Sequence, residues 1–447
     1  MLPEDERMKK LLALLTLVLA LLSASALAAD ADTQTPLWPA CDPVTGLWGY
    51  ITENGMWGIL PQYVWAGEFK GDCAIVQTKK EAYTSGIIDA DANFLLPPVY
   101  GLADSQAGIS EEIDIGPLFY VYDEAGMCGW FNVKNRYFSG MVWDSCEACG
   151  DQRFITVAKD VGDAWHYSLA WRDTGELLVP LADWEIYGLE EGVAVAMAGT
   201  DTHLIRDDGS EFDLPDGLTA ADWFYQDGLL LVTDDQGLYG YVDLKGDMAI
   251  APRFGEAESF RYGYAVVTDA EGSWLIDREG NRLANGVEYV CGLWAAGGIA
   301  VQREGCWAVL NADGTERFRI GMNEEQRGML VLTHAPLAEG APWWVLYVGG
   351  GISTFYGLMT AEGEWVAEPV WTLFADRFSD DPAGWQSTGY DGGFIDAWGK
   401  DVFSRRFLYT EHFDGALARV RFDESTEGDV NRAGETVYQW PSAHGAR

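Results

Sequence analysis

LYGYVDLKGDMAIAPRFGEAESFRYGYAVVT, residues 238–268, decides how this chain folds. Leu238–Asp243 reads as a half-buried strand, and the short polar stretch ending at Gly246 reads as a hairpin. That spacing suits a type I turn followed by a left-handed glycine. A second short strand then runs to Pro252. Proline cannot donate to a ladder and belongs at a strand end or a bulge. A third strand follows Gly263 as Tyr-Ala-Val-Val, so the unit reads as a three-stranded meander. A unit this small cannot bury its own apolar face and must stack on neighbours.

Copies appear in both directions once Asp243 is taken as an anchor. The equivalent positions are Thr52, Asp89, Asn132, Arg172, Arg206, Asp277, Asn311, Thr360 and Asp396, with Asn431 as a partial copy. The residue before each full anchor is apolar in all ten units, from Ile51 to Ile395. Three residues after the anchor, glycine occupies eight of ten units, Ala92 and Asn135 being the exceptions. Three residues before it, glycine recurs at Gly49, Gly86, Gly129, Gly240, Gly357 and Gly393, with an aromatic ahead of it at Trp48, Tyr239 and Tyr356. The stretches LWGYITENG, LYGYVDLKGDMAIAPRF and FYGLMTAEGEWVAEPVW resemble the bacterial WG (KWG-type) repeat family. The resemblance covers most of the chain and implies a β-repeat fold. It implies no catalytic residue and no ligand, because the family shares none.

The N-terminus reads as a secretory signal over residues 1–28. Met8-Lys-Lys is followed by the apolar run Leu11–Leu22 and then by Ala26-Leu27-Ala28, which places cleavage after Ala28. The acidic MLPEDER ahead of it does not suit a signal, so Met8 reads as the true start. The apolar run is shorter than the ~20 residues a membrane span needs, and no later segment suits one. The expected organisation is a lead-in over 29–46, the repeat array over 47–426, and a partial repeat with tail over 427–447. Export to the extracytoplasmic space follows as the expected localisation. A net charge of −41 excludes nucleic acid and anionic lipid as partners, since both would be repelled.

Chemistry-bearing motifs are sparse. Seven cysteines all follow the signal region. Cys146-Glu-Ala-Cys149 is a lone CxxC with neither a second pair nor a histidine pair for zinc, and no βαβ context for redox work. In an exported chain a local disulfide between Cys146 and Cys149 is the expectation. The five histidines are scattered, no serine sits in a G-x-S-x-G elbow, and Gly349-Gly350-Gly351 lacks the lysine of a phosphate loop. Asp207-Asp208-Gly209 and Asp234-Asp235-Gln236-Gly237 lack the ligand spacing of a calcium hand and suit turns instead. No cofactor or metal is expected.

Aromatic residues are the feature that points to binding: 20 Trp, 20 Tyr and 19 Phe. Trp343 and Trp344 fall in the widest spacing between anchors, and with Trp385 they are the candidate ligand-binding residues. Ten units plus a partial eleventh exceed the four to eight blades of a typical ring, so an open solenoid-like array is expected ahead of a propeller-like one. The functional expectation is a non-catalytic, exported scaffold that binds protein, peptide or cell-wall glycan. The alternatives are a purely structural surface protein and a hydrolase built on two of the 70 carboxylates.

Overall fold

The hairpin is built as the spacing requires. Gly246 N–H donates to the Asp243 carbonyl at 2.9 Å, and Asp243 N–H donates to the Asp247 carbonyl at 2.9 Å. Gly246 takes φ +86, the left-handed conformation that closes a type I turn into a bulge. The Asp243 carboxylate accepts from the N–H groups of Lys245 and Asp247, each at 2.9 Å. That pair of bonds is why a short acceptor side chain suits the anchor. The same backbone closure recurs at Thr52, Asp89, Arg206, Asp277, Asn311, Thr360, Asp396 and Asn431.

In this computed structural model the described residues are 36–81, 84–104, 118–162, 164–199, 201–294, 297–320, 329–334, 343–348, 354–372, 383–387 and 391–442. The expected signal segment lies outside them. Among the described residues there are strands and turns but no α-helix, and no helix is long and apolar enough to cross a membrane. Among these residues all strand pairs are antiparallel and fall into small sheets. Two longer ladders each hold two units and count as two sheets apiece, the second with the third and the ninth with the tenth in chain order. Phe94–Asp104 pairs with Ser85–Asp89 through its first half and with Leu118–Tyr122 through its second. Trp365–Thr372 likewise pairs with Thr354–Met359 and with Ala383–Ser387.

The unit differs from the expected meander by one strand. The sheet around Asp243 holds four: Leu218–Ala220, Leu229–Asp234, Tyr239–Asp243 and Met248–Phe254. Pro252 does not end its strand but sits inside it, at a bulge between the pairs Tyr241↔Ile250 and Tyr239↔Phe254. Four residues there span the length of two, and the displaced backbone folds over Gly240. A Cβ on Gly240 would lie 2.6 Å from the Ile250 carbonyl oxygen and 2.6 Å from the Pro252 nitrogen. Gly49 meets Ile59 and Pro61 in the same way, at 2.4 and 2.8 Å. The glycine after the aromatic and the proline beyond the turn are thus two halves of one close approach.

Cores lie between consecutive sheets. Cys149, Phe154 and Leu169 of the fourth sheet pack with Ile186, Leu189 and Ala194 of the fifth, and Leu229, Leu231 and Tyr241 of the sixth pack with Phe260, Ala265 and Ile276 of the seventh. The pattern continues across the ends of the array. Trp38, Ala40 and Ile51 of the first sheet share a core with Leu417 and Trp440 of the last. Trp48 meets Trp440 edge to face at 5.8 Å, and Trp57 meets Tyr438 at 5.4 Å. An open array with separated ends has no such core, so this contact corrects that expectation. The lead-in contributes the strand Trp38–Cys41, and the partial repeat completes a four-stranded sheet, Tyr409–Asp414, Leu417–Asp423, Thr426–Asn431 and Thr436–Pro441.

Candidate ligand-binding cleft

The fourth sheet is formed by Ser145–Ala148, Phe154–Val161 and Ala164–Trp171. Its central hairpin is long, with eight paired positions running from Phe154↔Trp171 to Val161↔Ala164. Opposed residues of an antiparallel pair share a face. One face therefore carries Thr156 with Leu169, Ala158 with Tyr167, and Asp160 with Trp165. Ser145 lies opposite Ala158, and Glu147 opposite Thr156. Near Leu169 this face is filled by the core shared with the fifth sheet. Toward the hairpin tip the small residues Ser145 and Ala158 leave space that the aromatic rings flank.

That space is a cavity of about 180 Å³ lined by Ser145, Glu147, Trp165, Tyr167, Ile186 and Tyr187 among others. Trp165 and Tyr187 are each 47 % exposed, although both are large apolar rings beside a core. Tyr187 is braced edge to face against Trp223 at 4.3 Å. Burial, and then the charges of Glu185 and Glu147, raise the Tyr167 phenol above its ordinary value. Among the described residues no lysine or arginine lines the cavity, so its polarity is set by Glu147 and by hydroxyl groups. Rings of this kind can stack on the apolar face of a sugar or a peptide side chain. The carboxylate can accept hydrogen bonds from hydroxyl or ammonium groups.

A larger cavity of about 520 Å³ lies at the seventh sheet, lined by Arg253, Phe254, Asp269, Glu271 and Arg282. Its charges already answer one another. The Arg282 guanidinium pairs with both Asp269 and Glu271 and lies over Trp274, and Arg253 donates to the Gly280 carbonyl at 2.9 Å. A ligand entering there would have to displace those pairs, whereas the aromatic cleft offers free ring surface.

The residues expected to bind are placed differently. Trp343 and Trp344 lie on a strand. They open the strand Trp343–Val348, opposite Met359 and Leu358, and their side chains are outside the described residues. Trp385 is 7 % exposed, with Thr410 donating to its carbonyl and the Arg406 guanidinium 5.1 Å from its ring, so it serves the core. Trp165, Tyr167, Tyr187 and Glu147 were not singled out from the sequence. Their signal was the missing aromatic-glycine pair in the unit around His166, which marks a departure from the repeat.

The cysteines also fall differently. Cys146 and Cys149 belong to different cores, on opposite faces of the fourth sheet. Cys146 lies within the strand Ser145–Ala148 and Cys149 just beyond its end, and their side chains enter separate cores. Cys146 Sγ lies instead 2.7 Å from Cys128 Sγ, and Cys149 Sγ lies 3.3 Å from Thr156 Oγ1. The calcium-like loops are turns. Asp234 accepts from the N–H groups of Gln236 and Leu238, Asp208 accepts from Ser210, and Asp207 pairs with Arg153.

The chain is similar at low identity to several solved structures. A eukaryotic initiation factor matches at 11 % identity and a TM-score of 0.43, covering 84 % of this chain and 96 % of that one. BamB from Moraxella catarrhalis matches at 13 % and 0.27, covering 67 % and 91 %. The β-propeller domain of Cps50 (Swd1) from Myceliophteria thermophila matches at 11 % and 0.27, covering 54 % and 93 %. No curated protein matches the sequence. The WG containing repeat family matches residues 48–80 and 239–272. Both matches open on the aromatic ahead of a bulge-covered glycine, Gly49 and Gly240, so these two stretches are similar to the WG containing repeat.

Proposed function

We propose that this protein is an exported, non-catalytic binding scaffold whose sheets close into a ring of eleven units. Its working surface is the cleft between the fourth and fifth sheets, which takes a segment of peptide or cell-wall glycan. The observation that carries this reading is the pair of half-exposed rings, Trp165 and Tyr187, beside the carboxylate of Glu147 at a formed cavity. Exposing such rings costs apolar burial unless a ligand covers them. A signal-like N-terminus supports export, and an acidic surface supports solubility outside the cell and repulsion of anionic partners.

The test is tryptophan fluorescence of the full chain titrated with peptidoglycan fragments and with short peptides, for wild type, Trp165→Ala and Tyr187→Ala. Saturable binding that falls at least tenfold in both variants, with unfolding midpoints held, is the expected result. Binding by wild type that neither variant weakens places the site elsewhere. Turnover of the glycan fragments would replace the scaffold reading with a hydrolase.

A further inference from the structure

We propose that Cys128 and Cys146 are the site of a disulfide that ties the third sheet to the fourth. Cys128 opens the strand Cys128–Asn132 of the third sheet, and Cys146 lies in Ser145–Ala148, the first strand of the fourth. Their sulfurs are 2.7 Å apart, closer than two unbonded sulfurs rest and not yet at the ~2.05 Å of a bond. Both side chains are buried, at 3 % and 8 % exposure, in one core with Leu118, Trp130, Trp143 and Ile155. The backbone holds them in place, because Cys128 N–H donates to the Trp143 carbonyl at 2.8 Å and Trp143 N–H returns a bond at 3.3 Å.

The other cysteines are elsewhere. Cys73, Cys149 and Cys291 are buried in three separate cores, and Cys41 packs at the junction of the first and last sheets. A pair between Cys128 and Cys146 therefore leaves an odd number of thiols without conflict, most of them out of solvent. Sharing a proton between the two sulfurs lowers Cys128 below the ordinary thiol value and raises Cys146.

The oxidant is a disulfide donor, either oxidised glutathione or the active-site disulfide of a thiol oxidoreductase. Cys128 thiolate attacks one donor sulfur, forming a mixed disulfide and releasing one donor thiolate. Cys146 loses its proton to solvent and attacks Cys128 Sγ, forming the cross-link and expelling the second donor thiolate. The two cysteines give up two protons and two electrons, and the donor disulfide becomes two thiols. The exchange occurs before the third and fourth sheets close over the pair. Because Cys146 adjoins Glu147, the tie also fixes the strand that forms one wall of the cleft.

The full chain is refolded in a glutathione buffer rich in the oxidised form, quenched in acid, alkylated under denaturing conditions without reductant, digested and analysed by mass spectrometry. The expected product is one linked peptide pair carrying Cys128 and Cys146, lighter by two hydrogens than the free peptides, with Cys149 alkylated. Cys149→Ser should leave the link and Cys128→Ser should abolish it. Oxidised protein should favour the folded state over reduced protein by roughly a hundredfold in equilibrium unfolding. Alkylation of both cysteines, or a Cys146–Cys149 link, overturns the proposal.

Discussion

Two glycines of the same unit do different work, and substitution separates them. Gly246 is needed for its φ of +86, and a Cβ there would meet the edge of the Phe212 ring at 3.1 Å and the Asp213 carbonyl oxygen at 3.4 Å. We predict that Gly246→Val costs about 1–3 kcal/mol through backbone strain. Gly240 is needed for space, since its neighbours at 2.6 Å are backbone atoms of the Pro252 bulge and cannot rotate aside. We predict that Gly240→Ala costs more than Gly246→Val, about 3 kcal/mol or above, despite adding a smaller side chain. Denaturant unfolding of both variants checks the order. A Gly240→Ala variant as stable as wild type would show that the bulge does not press on that position.

Within an element, the anchor carboxylate holds the hairpin closed. Asp243→Ala removes the acceptor for two N–H groups in an exposed turn, and we predict a loss of about 1–2 kcal/mol. Asp243→Asn should retain most of the stability, because Asn431 makes the equivalent pair of bonds to Ala433 and Glu435, each at 3.0 Å. Thermal melts of the two variants distinguish a turn acceptor from a generic surface charge. These local features were legible in the sequence, since turn chemistry and strand alternation are written within a few residues. The fourth strand was not, because Pro252 gives the same signal for a strand that stops and for one that bulges and continues. The cleft was also hidden. Glu147, Trp165 and Tyr187 come from three strands of two sheets, and their meeting depends on which faces stack. The Cys146-x-x-Cys149 spacing invited a local bond, whereas the two side chains pack into different cores.

At the scale of the molecule, the junction of first and last sheets carries a buried ionisable cluster. Arg419 lies opposite Asp429 in the last sheet, 3.6 Å from its carboxylate, and its guanidinium sits 5.6 and 5.1 Å from the rings of Trp48 and Trp440. It also donates to the Pro39 carbonyl of the first sheet. Burial pushes Asp429 up to about 7 against the pull of Arg419, with Glu411 and Glu68 adding to the rise. Glu411 is raised as well, by burial first, against the pull of Arg419 and with Glu68 adding to the rise. Below about pH 4 Asp429 is protonated whether folded or unfolded. Between about pH 4 and 7 the folded carboxyl keeps a proton that the unfolded one has lost, so stability falls as pH rises through that window. The slope should amount to about 4 kcal/mol for this group in total. We predict that Asp429→Asn flattens it, and equal slopes in the two proteins would overturn the assignment. Trp38, whose indole donates to the Asp414 carbonyl at 2.8 Å, belongs to the same junction. We predict that Trp38→Ala lowers amide-exchange protection in the last sheet as strongly as in the first. Protection lost only in the first sheet would show that the two are not coupled. The shared core of Trp38 and Trp440 has one more consequence, for the genetics of the fold. In the proposed ring the sheets have a cyclic order, so the point at which translation starts is arbitrary. A permuted gene opened within the turn at Asp207–Ser210, with residue 442 tethered to residue 36, encodes the same set of neighbours.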